Sequence, residues 1–225
     1  MGVNFFKLTA VLFASTVFLS ILLCSTAEYG GGVETTNGIT IAIKENKIEG
    51  TAPAGSQIVL CDTSYAPFLL SEKVFIDTIF VDEYGSFRLD LLPDGFYNMT
   101  GRNSTSDSGA IIKNIHINRL NTTETLKSSQ YKLLGSISGT AYIDSKSTGS
   151  VMVQIIGTDL GNTTDSSGVY TIGKIPAGIY KITGSYKTST KVPEIFDYYS
   201  WKIDNVTVPG NVQTIRVDLN LEKVN

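Results

Sequence analysis

A zinc centre needs clustered imidazole, thiolate or carboxylate ligands, and a serine or cysteine nucleophile needs a base beside it. Against those requirements the 225-residue chain offers one histidine, His116, and two cysteines, Cys24 and Cys61. His116 stands in the run Ile111-Ile112-Lys113-Asn114-Ile115-His116-Ile117, where strand alternation turns it away from Ile115 and Ile117 and towards solvent. Nothing near it has the G-x-S-x-G spacing of a nucleophile elbow. Cys61 follows Ile58-Val59-Leu60 as a small residue at the end of a strand, and the neighbouring Asp62 disfavours a thiolate. The sequence is therefore read as non-enzymatic, with no cofactor and no metal.

Two further residue groups have chemistry to weigh. Asp82, Glu83, Asp159 and Asp165 lie in or near turns, but Asp-x-x-Gly spacing lacks the dense alternating oxygen donors of a calcium loop, so turn capping is the expected role. The segment Phe196-Asp197-Tyr198-Tyr199-Ser200-Trp201 is the one aromatic candidate: Tyr198, Tyr199 and Trp201 would stack on sugar faces or peptide side chains if they share an exposed surface. The competing expectation is that alternate rings, such as Tyr199 and Trp201, enter the core. The loop 64–73, with Tyr65, Pro67, Phe68, Leu69 and Leu70, is either a contact patch or a cover over one end of the domain.

The elements that would position these residues are strands. Tyr, Phe, Val, Ile and Thr are abundant, glycines number 21, and no long apolar period of 3.6 residues appears after residue 30. A net charge of −3 with 17% charged residues supplies no basic stripe, which excludes nucleic acid as a partner.

The start of the chain differs from the rest. Lys7 and the terminal amine precede an apolar run from Leu8 to Leu23, the pattern of a secretory signal over residues 1–27. Three outcomes stay open. Ser25-Thr26-Ala27 gives small residues before a cut at Glu28; Ile21-Leu22-Leu23-Cys24 resembles a bacterial lipobox with Cys24 lipidated, although Leu23 stands where Gly, Ala or Ser is usual; and the run could remain as an uncleaved anchor, though it is short for a bilayer span. Residues 28–37 then form a flexible tether. The expected localisation is exported, at the cell envelope, with a membrane as partner through the lipid or signal anchor.

A block of residues occurs twice without a gap: DEYGSFRLDLLPDGFYNMTG at 82–101 and DSSGVYTIGKIPAGIYKITG at 165–184. The shared positions include Asp82/Asp165, Gly85/Gly168, Pro93/Pro176, Gly95/Gly178 and Tyr97/Tyr180. A repeat that keeps turn residues together with apolar alternation copies a folding unit. Asp-x-x-Gly suits a type I turn whose last residue takes positive φ. Pro-x-Gly makes a second turn, with proline presetting φ and glycine closing a bulged hairpin.

The flanks match too: 55–62 with 150–157, 109–119 with 201–210, and opening strands at 39–50 and 133–144. Each unit thus offers about seven short strands, the signature of a small sandwich. The division is domain 1 at 38–128 and domain 2 at 133–223, with a linker near Ser128–Lys132 short enough to limit independent motion.

The second unit, with GSISGTAY, TTDSSGVYTIGKIPAGIYKITGSY and VTVPGNVQTIRVDLNLE, resembles the carboxypeptidase regulatory-like domain over 133–223, and the first unit resembles it more loosely over 38–128. The resemblance implies two tandem Greek-key, transthyretin-like β-sandwiches without catalytic residues of their own. Such domains are accessory modules of exported and surface proteins. The expected function is a structural or protein-binding module of the cell envelope, with envelope proteins as partners. The alternative is a carbohydrate-binding accessory protein that meets polysaccharide through Tyr198, Tyr199 and Trp201.

Overall fold

Each unit contains the same five-residue segment, Ile-x-Gly-Thr-Ala, at 48–52 and again at 137–141. The computed structural model describes residues 37–65, 76–191 and 195–224, with the side chains of 189–196 outside the description. Within those bounds the chain is all-β and forms two sandwich-like units with separate apolar cores, one drawn from residues 39–117 and the other from 137–221.

The first unit contains β1 (Gly38–Lys44), β2 (Lys47–Thr51), β3 (Gln57–Asp62), β4 (Ile76–Phe80), β5 (Ser86–Leu89), β6 (Gly95–Asn103), β7 (Ser108–Ile117), β8 (Thr125–Gln130) and β9 (Lys132–Leu133). One sheet has the order β5-β2-β1-β8 and the facing sheet β4-β3-β6-β7-β9. Ile39, Ile41, Ile48, Ile58, Leu60 and Met99 are fully buried between them, the expected result of period-2 alternation on two facing sheets.

The second unit contains β10 (Gly135–Ile143), β11 (Lys146–Ser147), β12 (Met152–Ile155), β13 (Gly161–Thr163), β14 (Val169–Ile175), β15 (Gly178–Lys191), β16 (Ile195–Val208), β17 (Thr214–Arg216) and β18 (Leu219–Val224). Its two layers are joined along one side, because β18 pairs with β10 in one layer and with β16 in the other. The order β11-β10-β18-β16-β15-β12-β13 is continuous, with β14 and β17 also paired to β10.

Registers show which strands are equivalent, and here the structure corrects the expected match of 39–50 with 133–144. Ile48 faces Leu89 and Gly50 faces Phe87 across β2 and β5; Ile137 faces Ile172 and Gly139 faces Tyr170 across β10 and β14. Ala52 N–H donates to the Gly85 carbonyl and Ala141 N–H to the Gly168 carbonyl, both at 2.9 Å. The counterpart of β10 is therefore β2, and β1 is an additional strand inserted before it. A Cβ on Gly50 would lie 2.5 Å from the Phe87 ring, so glycine is what lets the ring lie against the strand.

The segment expected as a linker is built into the first unit. Ser128–Gln130 pair with β1, Tyr131 packs on the first core, and Lys132 and Leu133 pair with Gly109 and Ser108 of β7.

Candidate functional site

The duplicated block places its polar groups in two local devices. In the first, the Asp82 carboxylate accepts the N–H groups of Tyr84 at 3.0 Å and Ser86 at 2.7 Å. Its copy Asp165 accepts those of Ser167 at 2.9 Å and Val169 at 3.0 Å, together with the Ser167 hydroxyl at 2.6 Å. Gly85 and Gly168 close the turns at φ of 80° and 81°, where an L side chain is strained. These hydrogen bonds hold the Asp165 carboxyl below its ordinary range, the Ser167 hydroxyl contributing most. Both carboxylates are occupied by the turn they form.

In the second device the Tyr97 hydroxyl donates to the Pro93 carbonyl at 2.9 Å and the Tyr180 hydroxyl to that of Pro176 at 2.6 Å. Gly95 and Gly178 make room for it: a Cβ on either would stand 3.2 Å from the tyrosine that follows two residues later. Their role is this close approach. Neither has positive φ, and the left-handed residues of the hairpins are Leu91 and Lys174, at φ 57° each. The expected glycine-closed bulge is corrected accordingly. A bulge of a different kind does occur in both copies. Opposite the Tyr97/Met99 and Tyr180/Ile182 steps, Asn114 (φ 53°) and Asn205 (φ 63°) take the left-handed conformation that asparagine tolerates.

The aromatic candidates do not form one platform. Tyr199 and Trp201 pack against the second core, whereas Tyr198 projects from the opposite face of β16, 52% exposed, with the Lys187 ammonium 5.7 Å from its ring centre. Alternation along a strand causes this division. His116 is exposed and stacks on Phe96 at 4.5 Å with the rings 11° from parallel. Among the described residues no group of three or more His, Cys, Asp or Glu is arranged to hold a metal. Cys24, residues 1–36 and most of the loop 64–73 lie outside the described residues; no helix among those described is long and apolar enough to cross a membrane.

The polar residues that do converge lie where the two sandwiches meet. On β6 and β7 the side chains of Asn98, Arg102 and Lys113 point away from the first core, an arrangement that ordinarily faces water. Here Asn98 is 8% exposed and donates through Nδ2 to the Gly157 carbonyl at 3.1 Å, while its Oδ1 accepts the Asn114 N–H at 3.2 Å. Gly157 N–H donates to the Tyr65 carbonyl at 3.0 Å. Arg102 is ion-paired with Asp159 and also reaches Gln57 Oε1 at 3.3 Å. Lys113 donates to the Ile179 carbonyl and sits 4.5 Å from the centre of the Tyr180 ring; burial lowers its pKa. Ile111 of the first unit packs against the second core.

Cys61 lies opposite Asn98 in the β3–β6 pair and is 1% exposed. Burial, with Asp159 next, pushes its thiol up to about 12. That is the opposite of an activated cysteine. A cavity of about 290 Å³ opens beside this region, lined by Tyr65, Gln154, Asp159 and Asn162 among others. Its polar groups are engaged within the protein: Asp159 with Arg102, Asn162 with the Thr171 carbonyl and the Thr163 N–H, Gln154 with the Thr158 carbonyl. Sequence reasoning missed this meeting place. No local signal marked it, because Asn98, Thr100 and Arg102 alternate with Tyr97, Met99 and Gly101 as on any strand with one hydrated face.

A scan against protein families gives no match, and neither does a search of curated proteins. Solved structures similar to this chain include the minor pilin GBS52 of Streptococcus agalactiae, at 13% identity, covering 78% of this chain and 86% of that one, with a TM-score of 0.31. The major pilin BcpA of Bacillus cereus is 14% identical over 82% of this chain and 71% of that one, with a TM-score of 0.32. The Bacillus anthracis TIE protein is 16% identical, covering 85% of this chain but 35% of the other, with a TM-score of 0.27.

Proposed function

We propose that the protein is a non-enzymatic structural or protein-binding module of the bacterial cell envelope, exported by its N-terminal segment and held at the membrane through Cys24. The observation that carries this reading is the use of polar side chains. In both copies the Asp82/Asp165 carboxylates and the tyrosine hydroxyls of the repeated block serve turns and corners, Asn103, Gln154, Thr158 and Thr164 bond within their own sandwich, and Asn98 joins one sandwich to the other. A chain that commits its polar groups to geometry is built to hold a shape and present its loops. The signal-like start at residues 1–27 and the tether at 28–37 support export and attachment.

The assignment of residues 38–128 and 133–223 as two domains of transthyretin-like Greek-key type belongs to the same reading. It is supported by the separate cores and by the chain passing between layers from β2 to β3, from β4 to β5 and from β5 to β6. Polysaccharide binding through Tyr198, Tyr199 and Trp201 receives no such support, because the rings lie on two faces.

Expression of the full chain in a bacterial host, followed by detergent phase partitioning, tests the anchor. The wild type partitions with membrane lipoproteins and Cys24→Ala partitions with water-soluble proteins. Unchanged membrane association of Cys24→Ala would remove lipid attachment at this residue from the reading.

A further inference from the structure

We infer that the two sandwiches are joined by a keyed, water-excluding joint, with Gly157 as the key, so that the pair behaves as one rigid spacer and not as two beads on a tether. The inference goes beyond the proposed envelope role and holds whatever the module carries. Three observations converge on it.

The first is burial in an unusual place. Val59, Cys61, Asn98 and Thr100 lie on the face of the β3–β6 pair that points away from the first core, yet each is less than 9% exposed. A solitary sandwich would leave that face in water. The second is the form of the key. Gly157 has φ of 73°, its carbonyl accepts from Asn98, and its N–H donates to Tyr65. A Cβ there would stand 2.5 Å from Asn98 Nδ2 and 3.0 Å from the Thr63 carbonyl oxygen. Only glycine lets the backbone of the second unit approach the first so closely.

The third is that the key is flanked by further contacts. Arg102–Asp159 lies on one side, with side chains only 12% and 24% exposed, and Lys113 is held by the Ile179 carbonyl on the other. Partly shielded from solvent, these charges are screened less than fully exposed ones and add fixed contacts on either side of the key.

Cys61 supplies the readout, because it is 1% exposed, lies opposite Asn98 in the β3–β6 pair and feels the charge of Asp159 from the second unit. Native full-length protein is exposed to a thiol reagent, and modification of the peptide containing Cys61 is followed by mass spectrometry well below the unfolding midpoint. Gly157→Ala is compared with Gly55→Ala. Both glycines have φ of 73°, so both variants carry the same backbone strain, but nothing lies within 4 Å of a Cβ at Gly55. The expected result is slow labelling in the wild type and in Gly55→Ala, and labelling at least about tenfold faster in Gly157→Ala, with far-ultraviolet dichroism unchanged.

Calorimetry gives an independent reading: one transition for the wild type, two for Gly157→Ala. If Gly157→Ala does not fold, Asn98→Ala, which removes the bond to the key without adding volume, is expected to accelerate labelling in the same direction. Equal acceleration by Gly157→Ala and Gly55→Ala, rapid labelling of the wild type, or two wild-type transitions would overturn the joint.

Discussion

Tyr180→Phe removes one oxygen from the second unit and leaves the ring in place, so its cost isolates the tyrosine–proline corner. The hydroxyl donates to the Pro176 carbonyl at 2.6 Å, and Pro176 and Tyr180 are both buried. Losing a hydrogen bond costs about 0.5–1.5 kcal/mol net, and an acceptor stranded out of water adds to that, giving about 1–3 kcal/mol. The equivalent Tyr97→Phe leaves the carbonyl of Pro93, an exposed residue that water can reach, so its cost stays near the lower figure of about 0.5–1.5 kcal/mol. For a protein of this size about 1 kcal/mol moves the midpoint by about 2–4 °C. Urea and thermal unfolding followed by far-ultraviolet dichroism measure both variants. The reasoning is refuted if Tyr180→Phe is as stable as the wild type, or if it loses less than Tyr97→Phe.

Gly168→Ala costs more than Gly85→Ala, because both carry the strain of positive φ, about 1 kcal/mol or more, but a Cβ at 168 also meets the Thr148 nitrogen at 2.7 Å where one at 85 finds Ala52 O at 3.1 Å; equal midpoints in urea would contradict this. Cys61 has a folded-state pKa of about 12 against an ordinary 9.0. Its raised pKa adds stability that is fully present below pH 9 and is lost as pH rises towards 12, with a limiting slope of about 1.4 kcal/mol per pH unit. Cys61→Ala flattens that part of the pH–stability curve, and a slope identical to wild type between pH 9 and 12 would count against burial as the cause. Asp165 titrates in the other direction: its depressed pKa favours the fold above its ordinary 3.8, and that contribution disappears as the pH falls below it. Asp165→Asn therefore shows a shallower acid transition than the wild type. Trp201 packs against the second core, so its emission reports unfolding of that unit and stays unchanged when soluble polysaccharides are added; a spectral shift on addition would restore the aromatic patch as a ligand site.

How much of this is readable without coordinates depends on the distance between partners in the chain. The turns at Asp82 and Asp165 place donor and acceptor within four residues, so residue type and spacing carry the information. The all-strand class follows from alternation and turn residues, which are equally local. The tyrosine corners also span four residues, but reading them requires knowing that Gly95 and Gly178 are there to admit a ring. The equivalence of β2 with β10 was present in Ile-x-Gly-Thr-Ala and was obscured by β1, an apolar strand lying next to the place where the match was sought. The joint lay beyond local reading altogether: Asn98 and Gly157 are 59 residues apart, and Arg102 and Asp159 are 57 apart. Such contacts leave no spacing pattern.

The repeat itself explains why the joint forms once and is not copied onto the second unit. Superposing the blocks through Asp82/Asp165 places Asn98 against Lys181 and Arg102 against Ser185, and the bulge asparagines Asn114 and Asn205 place Lys113 against Asp204. In the first unit these positions meet the second sandwich. In the second unit Lys181 and Asp204 have side chains 57% and 50% exposed and lie 3.7 Å apart, an ion pair that water screens and that adds little to stability. Covering that face with a further sandwich would desolvate both charges without the flanking hydrogen bonds that Asn98 and Gly157 supply to the existing joint. The duplicated scaffold has thus been assigned two different surfaces by a handful of side chains: one sheet face that receives a neighbour and one that remains hydrated.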